Sequence, residues 1–144
     1  MAKTKVMVAI RDLDSVESLV ALACQVSGGM ESELIALHVV EVPMATPIEA
    51  DDEVLDHPGK ELLARAQQYA KEHFSRTVSI RLLRARQAGE AIVGEVQEQR
   101  IDRLVMGHRR LPLIEEILLG STVQYVARHA PLRVIIEIPP IRQS

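Results

Sequence analysis

The sequence predicts an α/β fold: a doubly wound, five-stranded parallel sheet with helices on both faces. Two observations carry that prediction. Short, nearly continuous apolar runs alternate along the chain with segments whose apolar residues recur at helical spacing. Continuous apolar strands belong to sheets buried on both faces, and right-handed crossovers between such strands place helices on each side. The 144 residues, 47% of them hydrophobic and 26% charged, fit one domain, 1–144, able to bury a core without disulfides or metals.

The elements follow in order. Residues 5 to 10 (Lys-Val-Met-Val-Ala-Ile) read as the first strand. Asp14-Ser15-Val16-Glu17 reads as a capping box, after which Leu13, Val16, Leu19, Val20, Ala23 and Val26 form one helix face. Gly28-Gly29 stops that helix, and residues 33 to 40 make a second apolar strand. Residues 41 to 57 carry Pro43, Pro47 and the acidic group Glu49, Asp51, Asp52, Glu53 and Asp56; they read as a solvated loop, long enough for a lid. Pro58 is expected in the first turn of the next helix, where its missing N–H costs nothing, with Leu62, Leu63, Ala66, Tyr69 and Ala70 inward. Residues 77 to 83 alternate through Val78, Ile80 and Leu82 as a third strand. Residues 88 to 99 form a short helix with Ala91, Ile92 and Val96 inward, and residues 103 to 106 a fourth strand ending at Gly107. The last helix spans 121 to 129, with Val123, Val126 and Ala127 inward; Pro131 follows, and residues 134 to 138 close the sheet.

Composition excludes several function classes. The net charge of −3, from 17 basic and 20 acidic residues, gives no positive field for nucleic acid. Tyr69, Phe74 and Tyr125 are the only aromatics, too few for stacking bases. No apolar run approaches the roughly 18 residues of a membrane span, and the N-terminus lacks the pattern of a signal peptide. A cytoplasmic chain without membrane insertion is expected. The single Cys24 excludes a disulfide framework and a Cys-rich zinc site, and reads as a small buried hydrophobe. His38 is expected to be packed in its strand, and His57 and His73 to be exposed at helix ends. No pair has clear metal-ligand spacing, and neither a nucleophile elbow nor a P-loop occurs.

In doubly wound sheets ligands bind beyond the C-terminal strand ends, at the switch in strand order. That selects Arg11, the stretch from Val39 to Glu41, and Gly107 with His108, Arg109 and Arg110. The most informative pattern is a strand ending at Gly107, a loop, and Gly120-Ser121-Thr122 opening a helix. A helix start offers unpaired N–H groups and a positive dipole end, Ser121 and Thr122 add hydroxyls, and Gly120 allows close approach. This describes a phosphate site. The competing reading is that Ser121 only caps the helix and Gly107 only makes a tight turn.

Several stretches together resemble the universal stress proteins: the opening Val-Met-Val-Ala-Ile, the second strand ending Leu-Ile-Ala-Leu-His-Val-Val, and Asp102-Arg103-Leu104-Val105-Met106-Gly107. Leu118-Leu119-Gly120-Ser121-Thr122-Val123 and the closing Ala130-Pro131-Leu132-Arg133-Val134-Ile135-Ile136 complete the likeness, with residues 43 to 57 as the variable part. The resemblance implies a Rossmann-like fold of the adenine nucleotide alpha hydrolase type and an adenine nucleotide, ATP or AMP, as ligand. Family members that bind ATP carry Gly-x2-Gly-x9-Gly-(Ser/Thr), an aspartate after the first strand, and a backbone segment near Val39 along the adenine pocket. Gly107 and Gly120-Ser121 fit the motif; Arg110 replaces its second glycine, and Arg11 stands where the aspartate is usual. Arg110 has a Cβ that disfavours positive φ, and Arg11 donates where a carboxylate accepts. Both changes act against the usual ATP pose, yet both add charge suited to an anion.

The resemblance further implies a homodimer formed by antiparallel pairing of the last strand, Val134 to Ile138, and a role in stress response or regulation rather than catalysis. The segment Ala-Ile-Arg-Asp-Leu is also similar to universal-stress domains appended to cation antiporters and permeases, which points to a transporter or another protein as partner. Two readings stand. One is a ligand sensor with a degenerate nucleotide site, contacted by Arg11, Val39, Gly107, Arg110, Gly120, Ser121 and Thr122. The other is a protein-interaction module that binds no nucleotide. A slow ATPase ranks last, since nothing supplies a base beside a phosphate-activating lysine or metal ligand.

Overall fold

The computed structural model describes residues 3–29, 31–108 and 120–140. Among these residues five strands, β1 (Lys5–Ala9), β2 (Glu33–Glu41), β3 (Val78–Ala85), β4 (Arg103–Gly107) and β5 (Arg133–Glu137), alternate with four helices, α1 (Val16–Val26), α2 (Glu53–Phe74), α3 (Ala88–Glu98) and α4 (Ser121–His129). The strands lie in the order β3-β2-β1-β4-β5, and every neighbouring pair is parallel. The predicted doubly wound architecture is therefore the observed one. The order reverses between β1 and β4, which puts the switch point at the centre of the sheet.

Strand alternation divides the core in two. Val6, Val8, Leu34, Ala36, Val78 and Val105 face α1 and α2, where they meet Leu19, Val20, Leu62, Leu63 and Ala66. Met7, Ile35, Leu37, Leu104 and Met106 face α3 and α4, where they meet Ile92, Val96, Val123 and Val126. The central strands are buried on both sides, which is why they read as unbroken apolar runs rather than as alternating ones.

Several local expectations need correction. The cap of the first helical segment is Asp12, not the box at Asp14-Ser15. Asp12 is extended, and its Oδ1 accepts from the Ser15 N–H at 3.1 Å, so a 3-10 turn over Leu13–Ser15 precedes α1. Leu13 consequently sits on that outer turn, 51% exposed, and not on the buried face. The acidic loop ends earlier than expected: Asp52 caps α2 through Leu55 N–H at 3.2 Å, so Pro58 lies in the second turn of the helix. Its missing N–H leaves the carbonyl of Val54 without a helical donor, and Val54 is an exposed residue that water can reach. Ile80 is 42% exposed because β3 is a sheet edge, and Ala127 faces outward from α4. Gly28 and Gly29, with φ of 84° and 131°, end α1 as expected, since few other residues adopt that backbone.

Candidate functional site

The register sets three predicted positions at one level. Ala9 lies beside Leu37 of β2 and beside Met106 of β4. Two residues further along each strand direction come Arg11, Val39 and His108. The Ile10 N–H donates to the Leu37 carbonyl at 2.9 Å, so the β1 chain keeps this direction to the threshold of Arg11. Arg11 is exposed just past the end of β1. Val39 is still inside β2, half-buried beside Leu83 of β3 and packed on the α3–α4 side of the core. Gly107 is the last residue of β4 and pairs with Glu137 of β5. A Cβ on Gly107 would meet Leu19 Cδ1 at 3.3 Å, so close packing of α1 also favours a glycine there.

Gly120 is the N-cap of α4 and has an extended backbone with φ of −66°. The N-cap glycine has no side chain to cap the helix, and Ser121 and Thr122 are the first two helical residues, so the reading of Ser121 as the cap is not the observed one. A Cβ added at Gly120 would have no neighbour within 4 Å, so packing does not require a glycine there. The first N–H groups of an α-helix have no partner within the helix, and the glycine N-cap adds no side-chain acceptor for those of α4. Arg109 and Arg110 lie outside the described residues.

Sequence reasoning missed the ionic framework beside this end of the sheet. Asp56 of α2, only 2% exposed, accepts from Arg84 Nε at 3.0 Å and from Arg84 Nη2. The Arg84 hydrogen bond holds the Asp56 carboxyl below the usual carboxylate range, against the opposing effect of its burial. Arg86 Nη1 donates to the carbonyls of Pro43 at 2.5 Å, Thr46 at 2.7 Å and Val42 at 3.3 Å, tying down the segment after β2. His38 is packed as expected: its Nδ1 donates to the Ile10 carbonyl at 2.7 Å, immediately before Arg11. A Cβ on Gly59 of α2 would fall 2.6 Å from His38 Cδ2, so α2 rests directly on this imidazole. The sequence hint of these contacts was the pair Arg84 and Arg86 at the end of a strand, with an acidic helix start elsewhere in the chain.

Cys24 is half-buried in the α1 face, and desolvation pushes its thiol up, partly offset by Arg76. His57 and His73 are exposed, though His57 lies within α2 rather than at its start. Among the described residues no group of three or more His, Cys, Asp or Glu is placed to hold a metal ion. No helix among them is long and apolar enough to cross a membrane.

The sequence profile of the universal stress protein family matches residues 3–136. The chain belongs to the universal stress protein family. Solved universal stress proteins share its fold at low identity. One from Archaeoglobus fulgidus is 18% identical with a TM-score of 0.76, over 94% of this chain and 98% of that one. A universal stress protein in complex with cAMP is 24% identical, TM-score 0.73, over 95% and 98% of the two chains. One from Arabidopsis thaliana with AMP bound is 17% identical, TM-score 0.62, over 95% and 92%. No curated protein matches the sequence. This universal stress protein therefore keeps the family architecture with Arg11 at the end of β1.

Proposed function

We propose that this universal stress protein, acting as one domain over residues 1–144 in the cytoplasm, is a regulatory module that binds an adenine nucleotide at the switch point between β1 and β4. The observation that carries the reading is the glycine N-cap of α4 at Gly120, which comes after β4 in the chain and has free space around an added Cβ; the helix start would offer its backbone N–H groups to a phosphate. Solved relatives of the same fold are complexes with cAMP and with AMP, which supports an adenine nucleotide as the class of ligand. Gly107, Gly120, Ser121 and Thr122 would supply backbone and hydroxyl contacts, and the segment at Val39 would line the base. Arg11 and Arg110 would meet the ligand with donors only, so the site favours its anionic part over its ribose. The role is sensing rather than catalysis, and the chain acts as a homodimer joined through β5.

A second reading has Arg11 in its favour: with no carboxylate at that position, the module would bind a protein partner, such as a transporter, without nucleotide. Calorimetric titration with ATP, ADP, AMP and cyclic AMP, with and without magnesium, separates the two. Saturable binding that Gly120→Val abolishes is the expected result. Silence at millimolar nucleotide overturns the first reading and leaves the second.

A further inference from the structure

The nucleotide site proposed above uses the C-terminal ends of the strands. At the opposite end of the sheet lies a cavity of about 340 Å³, lined by Thr4, Asp102, Arg103 and Arg133. These residues stand at the starts of three adjacent strands, β1, β4 and β5. The register brings them together. Arg103 pairs with Val6 of β1 on one side and with Arg133 of β5 on the other. Neighbouring strands lie about 4.8 Å apart, and residues in register on parallel strands send their side chains to the same face.

That face is the one under α1 and α2. Val6 and Val105 pack there, and Ile135, two residues beyond Arg133, packs against the same cluster. Thr4 joins them. Its carbonyl accepts from the Glu33 N–H at 2.8 Å, so the ladder between β1 and β2 reaches back to Thr4, two residues before Val6. A hydroxyl and two guanidinium groups thus leave the sheet on one side.

The positive charge there is uncompensated. Neither Arg103 nor Arg133 forms an ion pair among the described residues. Arg103 Nη1 donates to the Val26 carbonyl at 2.6 Å, which engages one of its nitrogens at the end of α1. Asp102 is the one carboxylate of the cavity wall, and its Oδ2 accepts from the Lys5 N–H at 2.8 Å rather than from either arginine. Like charges side by side on neighbouring strands are destabilising. An anion between them removes that cost.

We propose that this cavity is a second ligand site, which takes a small phosphorylated polyol with its phosphate between Arg103 and Arg133. A planar carboxylate is satisfied by the fork of one arginine. Donors from three strands, the Thr4 hydroxyl among them, suit the several acceptor oxygens of a phosphate. The volume exceeds what a bare phosphate ion needs and falls at the lower end of small-ligand sites, about 300–1,000 Å³. Asp102 gives the wall an acceptor for a hydroxyl of the organic body.

Calorimetric titration of the full chain at constant ionic strength tests this, with glycerol phosphate and inorganic phosphate as probes. Glycerol phosphate should bind saturably, and inorganic phosphate about tenfold more weakly for want of the hydroxyl contact. Arg133→Gln should weaken glycerol phosphate about tenfold, the size of one lost charge-assisted hydrogen bond. In phosphate-free buffer the same variant should melt no lower than wild type, because it removes one of two neighbouring like charges. Gly120→Val should leave glycerol phosphate binding unchanged, since α4 begins beyond the other end of the sheet. Absence of saturable binding at tens of millimolar overturns the proposal. Binding that Arg133→Gln leaves intact, or that Gly120→Val abolishes, overturns the location, and equal affinity for the two probes overturns the polyol.

Discussion

Arg84 on β3 and Asp56 on α2, 28 residues apart in the chain, form a two-pronged ion pair in which the carboxylate is almost wholly buried. It ties the first turns of α2 to the edge of the sheet near the C-terminal end of β3. Arg84 is itself held charged by this contact, with Asp51 and Asp52 adding to the effect.

Asp56→Asn is expected to destabilise the fold at neutral pH by more than Glu53→Gln, whose Lys60 partner is exposed. The folded carboxyl titrates below its unfolded value of about 3.9. Its stabilising contribution is therefore present in full above about pH 4 and is lost as the pH falls through the folded value. Denaturant unfolding of both proteins across pH checks this: the gap between wild type and Asp56→Asn should close in acid.

Arg86→Ala should release the segment after β2 without touching the sheet core. The three carbonyls gathered by one guanidinium nitrogen lose their donor, while the Val42 N–H keeps its bond to Ala85 at 2.8 Å. Amide exchange at Thr46 should quicken about tenfold, the size of one lost hydrogen bond, with Leu37 unchanged.

Two glycines on helices should respond with opposite signs to alanine. At Gly59 a Cβ would fall 2.6 Å from His38 and 2.8 Å from Leu82, so Gly59→Ala should cost about 1–3 kcal/mol through overpacking. At Gly94 on α3 a Cβ would meet nothing within 4 Å, so Gly94→Ala should stabilise by about 0.5–1 kcal/mol. Thermal and urea unfolding measure both.

Arg11→Asp should weaken binding of AMP about tenfold in the same calorimetric titration, since it replaces a donor to the anionic part of the ligand with a like charge. Arg11 is exposed, so the substitution leaves the core untouched and the change reads the site alone. Unchanged binding would show that Arg11 does not touch the ligand, and tighter binding that a carboxylate there accepts from the ribose.

Much of the fold was legible because strands buried on both faces must be apolar throughout, and Lys5–Ala9 and Arg103–Gly107 carry that mark in consecutive residues. Helix stops were legible at Gly28-Gly29 for a similarly local reason. The start of α2 was not. The acidic stretch looked solvated, and only the presence of Arg84 across the gap makes burial of Asp56 tolerable. Ile80 likewise has the alternation of a covered strand, and its exposure comes from an edge position that its own neighbours do not reveal.

The sequence by itself determined the alternation of strands and helices, the family, and the glycine-and-hydroxyl opening of α4, because each is written in residues a few positions apart. Tertiary structure alone decided the strand order that sets Arg11, Val39 and His108 at one level. It also decided the Arg84–Asp56 tie and a burial of Glu137 Oε2 that leaves this atom without a donor among the described residues. Periodicity is a property of a short segment. The cost of a buried charge depends on what distant segments bring to it, and that exists only once the chain has folded.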